Sequence, residues 1–66
     1  MRVLVNGDDK ELADGAVIVD LVTGLNLKPE RVAVEVNRKI LKRSEWGSTL
    51  LVEGDKVEIV HFVGGG

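Results

Sequence analysis

One apolar stripe in this chain has helical spacing, and it is flanked on both sides by stretches that alternate with period two. That contrast restricts the fold to a single helix packed on a small sheet. The stripe is Ile18, Leu21, Val22 and Leu25, at positions i, i+3, i+4 and i+7. Val17, Ile18 and Val19 are β-branched and would suit a strand by propensity. The spacing outweighs that preference, because burying each stripe residue is worth about 1.5–3 kcal/mol against roughly a few tenths for propensity. Asp20 falls in the first turn, where the helix dipole favours an anion. Asn26 can take the left-handed stop, and Pro29 bars continuation.

Before the stripe, Met1, Val3 and Val5 alternate with Arg2, Leu4 and Asn6, as in a strand with one buried face. Asn6-Gly7-Asp8-Asp9 predicts a hairpin turn, since Asn and Gly tolerate positive φ, with Lys10 to Ala13 as the return strand. After the stripe, Arg31 to Asn37 gives the clearest strand, with Val32, Val34 and Val36 facing in and Ala33, Glu35 and Asn37 facing out. Lys39-Ile40-Leu41 adds a short strand, and Ser44 to Gly47 a turn that folds Trp46 back as a core anchor. Leu50-Leu51-Val52 reads as another short strand, Glu53-Gly54-Asp55 as a turn, and Lys56 to Val63 as the last strand. The order ββαβ(β)β describes an α+β domain, a small mixed sheet on one main helix, which is the β-grasp arrangement. The domain spans residues 1–63 and the tail residues 64–66.

The core must hold this fold unaided. With 66 residues, no Cys and one His, the chain offers neither a disulfide nor a thiolate metal site. Any covalent chemistry must therefore use a group other than a thiol. A net charge of −2 and only two aromatics, Trp46 and Phe62, argue against a nucleic-acid surface. The longest aliphatic run, Ala16 to Val19, falls far short of the ~20 residues that span a bilayer. Met1-Arg2 leads straight into a strand without a signal peptide, so a cytoplasmic protein with no membrane partner is expected. Asp8, Asp9, Asp14 and Asp20 each sit where a turn or helix start favours an acid, which leaves no carboxylate set for an enzyme.

The end of the chain is where function concentrates. Glu58 to Val63 runs as a strand directly into Gly64, Gly65 and Gly66, with none of the Ser or Glu spacing of a linker. A glycine run cannot pack and should stay flexible, and without Cβ atoms it can thread a narrow channel, carrying the terminal carboxylate about 10 Å beyond the body. Alternation turns Val60 and Phe62 outward beside Leu4 and Ala33, so Val60, Phe62, Val63 and Leu4 are the expected partner-binding residues. Arg38, Lys39, Lys42 and Arg43 form a basic cluster that reads as a solvated loop or as a surface for an acidic partner. His61 reads as a rim residue.

Several segments together resemble the ubiquitin-like sulfur carriers of bacteria, and within them the ThiS family of thiamin biosynthesis. They are the opening strand into Asn6-Gly7, Val32-Ala33-Val34-Glu35-Val36-Asn37, and Arg43-Ser44-Glu45-Trp46. Glu53-Gly54-Asp55 with Val57-Glu58-Ile59-Val60, and the closing Val63-Gly64-Gly65-Gly66, complete the set. The resemblance implies that Gly66 is the reactive group: a ThiF-type adenylating enzyme uses ATP to activate its carboxylate. A persulfide from a sulfurtransferase or cysteine desulfurase system then leaves a thiocarboxylate, whose sulfur a ThiG-type thiazole synthase takes up. On this reading the protein is a cosubstrate with no cofactor of its own. Rival readings are a carrier for another acceptor (molybdopterin synthase or cysteine synthesis), a ubiquitin-like modifier, and an interaction module with an inert tail. Three positions depart from the family pattern: Val17 where a hydroxylated helix cap is expected, Arg38 where a turn Gly is common, and Lys42 where Pro is common.

Overall fold

A computed structural model describes residues 1–62. The strands are β1 (Arg2–Val5), β2 (Asp8–Glu11), β3 (Val32–Val36), β4 (Lys39–Leu41) and β5 (Lys56–His61), with one helix, α1 (Ile18–Gly24), after the first hairpin. They form one five-stranded sheet in the order β2-β1-β5-β3-β4. β1 and β5 run parallel, and every other neighbouring pair is antiparallel, so the sheet is mixed as expected. The last strand is thus the central one.

The first hairpin turns in two residues rather than four. Asn6 at φ 50° and Gly7 at φ 86° make the tight positive-φ turn that matches strand twist, so the return strand begins at Asp8, opposite Val5. α1 buries Ile18, Leu21 and Val22, and the half-buried Leu25 closes it. The helix ends in a Schellman motif with Asn26 at φ 60°: Asn26 N donates to Thr23 O (3.0 Å) and Leu27 N to Val22 O (3.2 Å).

Ten apolar residues make the core. Val3, Val32, Val34, Val57 and Ile59 come from the sheet, Ile18, Leu21 and Val22 from the helix, and Trp46 and Leu51 from the connection before β5. Trp46 is 3% exposed and fills the anchoring place expected of it. Leu50-Leu51-Val52, however, is not a strand. Leu50 makes an isolated bridge to Val17, and Leu51 N donates to Ala16 O (3.0 Å), so the segment closes over the start of α1 instead of joining the sheet. The segment's backbone pairs with Ala16 and Val17, and from there Leu51 reaches the core.

The three departures from the family pattern have local answers. Val17 has no side-chain acceptor to offer, but its N–H is taken by Asp20 Oδ2 (3.0 Å), which supplies half of a capping box. Lys42, at φ −69° and ψ 145°, holds a conformation open to Pro, yet its N–H donates to Glu45 Oε1 (2.8 Å), a bond that Pro could not make. Arg38 has no such compensation. With Asn37 at φ 51° and Arg38 at φ 70°, it occupies the left-handed region where Gly is at ease.

Candidate functional site

The site is built around the outgoing end of β5. Antiparallel pairing with β3 continues to its tip, where Phe62 N donates to Arg31 O (2.9 Å). On the other side β1 stops at Val5, and the Asn6 side chain takes over from the missing strand. Its Oδ1 accepts from Ile59 N (2.8 Å) and its Nδ2 donates to Ile59 O (3.2 Å), joining residues 53 apart. Asn6 thereby does for Ile59 what a ladder residue would do, and β5 stays fixed on both sides to within three residues of Phe62. In the sequence Asn6 signalled only a turn.

Val57 and Ile59 point into the core, while Val60 and Phe62, 53% and 55% exposed, lie beyond it. Val60 stands directly opposite Ala33 on β3, so the two form an apolar surface near the end of β5, and Phe62 follows just beyond the strand. Leu4 does not join them. It is half-buried and registers with Lys56, four residues before Val60 and about 13 Å along the strand. Ile40, 72% exposed and opposite Glu35, carries a further apolar side chain on the same sheet. A three-residue strand is too short to reveal by alternation which way it faces. Between these apolar positions Glu35 lies directly opposite Glu58, with no cation within ion-pair distance of either among the described residues. Val63, Gly64, Gly65 and Gly66 lie outside the described residues.

The basic cluster of the sequence is divided by the fold. Arg38 and Lys39 occupy one end of the β3–β4 hairpin, and Lys42 and Arg43 follow β4 at the other. Arg43 Nε donates to Pro29 O (3.0 Å), and its guanidinium lies 5.7 Å from the centre of the Trp46 ring. Beside Pro29, an open cavity of about 310 Å³ is lined by Asn26, Leu27, Lys28, Arg31, His61 and Phe62. A second, of about 360 Å³, lies by the first hairpin and includes Asp8, Asp9 and Lys10. Among the described residues, no group of three or more His, Asp or Glu is placed to hold a metal ion, and no helix is long and apolar enough to cross a membrane.

The acids of the first turns have local partners. The Met1 amine donates to Leu12 O (2.7 Å) and lies 3.4 Å from both Glu11 Oε2 and Asp14 Oδ1. Desolvation pulls the amine's pKa down, but hydrogen bonds to Asp14 and Glu11, with the charges of both, outweigh it and hold the amine above its ordinary value of 8.0.

One helix held by a mixed sheet whose central strand is the last of the chain, leading into a glycine run, defines a ubiquitin-like β-grasp protein. Consistent with that, a ubiquitin-like protein of the archaeon Caldiarchaeum subterraneum superposes with a TM-score of 0.53 at 18% identity, covering 97% of this chain and 96% of that one. The chain belongs to the ThiS family, whose model matches residues 3–66. The crystal structure of the thiamine biosynthesis protein ThiS from Geobacter metallireducens matches with a TM-score of 0.85 and 33% identity, covering all of both chains. The sulfur carrier protein ThiS of Bacillus subtilis is 40% identical over 63 residues, 94% of this chain and 96% of that protein. A thiazole synthase of Magnetococcus marinus is 39% identical over all 66 residues, and the chain spans only 20% of its length.

Proposed function

We propose that this protein carries sulfur for thiamin biosynthesis on the C-terminal carboxylate of Gly66. The observation that carries the reading is the family match, which runs through the closing glycines to residue 66. A near full-length match, at 40% identity, with a sulfur carrier of Bacillus subtilis supports it. In the proposed cycle a carboxylate oxygen of Gly66 attacks the α-phosphorus of ATP within a ThiF-type adenylating enzyme, and pyrophosphate leaves. The terminal sulfur of a persulfide, supplied by a sulfurtransferase or cysteine desulfurase system, then attacks the acyl carbon and AMP departs with its bonding pair. A second thiol cleaves the resulting S–S bond, forming a disulfide and releasing the thiocarboxylate. With no Cys in this chain, every thiol in the cycle belongs to a partner.

Thiazole synthase is the proposed acceptor, and relatives of that name that contain a segment like this chain support the choice. Catalysis and ATP binding fall to the partners, in the cytoplasm, while this protein supplies the tail and a docking surface. Val60 and Phe62 centre that surface, with Val63 at the tail's root, because exposed apolar side chains beside a reactive terminus gain more by burial in a partner than by solvation.

The test is the intact mass after incubation with ATP, a ThiF-type enzyme and a sulfur donor. Replacement of one oxygen by sulfur, absent when Gly66 is deleted, is expected. Sulfur should then pass to thiazole synthase and not to molybdopterin synthase. Phe62→Ala should stay folded and be activated more slowly. No mass gain with demonstrably active partners would overturn the carrier reading.

A further inference from the structure

The end of the domain from which β5 emerges is cationic, although the chain as a whole is acidic. Lys28, Arg31 and His61 line the 310 Å³ cavity, and Arg43 is tied to Pro29 between Lys28 and Arg31 in the chain. None of the four has a carboxylate within ion-pair distance among the described residues. Glu30, between Pro29 and Arg31, is exposed and among the described residues pairs with neither Lys28 nor Arg31, and Glu45 accepts from the Lys42 N–H. Glu11 and Asp14 hold the Met1 amine, Asp20 caps α1, and Asp8 and Asp9 line the other cavity. Lys28 and Arg31 share the cavity wall with His61, Leu27 and Phe62, and Arg43 adjoins it through Pro29. The wall is held together by the backbone bond from Phe62 N to Arg31 O (2.9 Å) and the pairing of His61 with Val32.

We propose that this cavity seats an acidic segment of the partner that receives the tail, with carboxylates on Lys28 and Arg31 and one apolar side chain against Leu27 and Phe62. Naming the adenylating enzyme as that partner rests on the carrier reading; the chemistry of the occupant does not. The cavity's volume is at the bottom of the roughly 300–1,000 Å³ range of small-molecule sites, and it is open, which suits side chains of a docking segment better than an enclosed ligand. Unneutralised cations beside Phe62 steer such a segment to the tail's root, where orientation decides whether the tail enters a channel.

The test is a heteronuclear NMR titration of the intact protein with the peptide acetyl-Asp-Glu-Leu-Glu-Asp-amide, with its Asn/Gln counterpart, and with orthophosphate. His61 is the sole histidine, so its ring signals report unambiguously. The acidic peptide should shift Arg31, His61 and Phe62 saturably, and the Asn/Gln peptide should not. The double variant Lys28→Glu, Arg31→Glu should weaken binding roughly tenfold or more while leaving the spectrum of the core unchanged, since both side chains are exposed. Raising salt from about 0.1 M to about 1 M should weaken it too. Equal shifts from the neutral peptide, identical shifts from orthophosphate, or binding centred on Arg38 and Lys39 would each overturn the proposal. Peptide binding and tail activation are read separately, so loss of one leaves the other standing.

Discussion

Replacing Asn6 by Gly removes the clamp on β5 and nothing else. Gly accepts the positive φ of the turn, so the hairpin survives, but both hydrogen bonds to Ile59 are lost. Each such bond contributes about 0.5–1.5 kcal/mol net, and the added freedom of the unfolded chain costs about 0.4–1 kcal/mol more. The expected loss is about 1.4–4 kcal/mol, and a central value of about 2.7 kcal/mol lowers the melting temperature by roughly 11–22 °C for a domain of this size. Trp46, the only tryptophan and 3% exposed, reports unfolding by fluorescence in urea or on heating. Native-state hydrogen exchange adds a local readout: the Ile59 amide should lose protection while the ladder between β3 and β4 keeps its own relative to global unfolding. Stability within about 0.5 kcal/mol of the parent, or an unchanged Ile59 amide, would refute the clamp.

Three further outcomes follow from the same geometry. Arg38→Gly should stabilise the domain by about 1 kcal/mol in urea melts, because it relieves the left-handed strain at φ 70°. Glu58→Thr should add about 0.2–1 kcal/mol by removing the like charge opposite Glu35, and the gain should shrink at high salt. The Met1 amine is held above its ordinary 8.0, so its contribution is fully present below pH 8.0 and is lost as pH rises through the higher folded value. Melting temperature should therefore fall with rising pH in that window, and N-terminal acetylation should abolish that part of the fall.

The one helix, its stop at Asn26, the inward valines of β3 and the outward Val60 and Phe62 were all legible in the sequence, because each depends on a period or on a local φ. Periodicity assigns a residue to a face and says nothing of its neighbours across the sheet. The parallel register of β1 and β5 places Leu4 beside Lys56 and away from Val60, and it ends β1 where Asn6 can reach Ile59. Packing likewise drew Arg43 to Pro29 and away from Arg38, and brought Lys28 and Arg31 to one cavity with His61 and Phe62. Local patterns thus set which residues are buried and where each element stops. Only tertiary contact, between residues as much as 53 apart, decided which of the exposed ones act together.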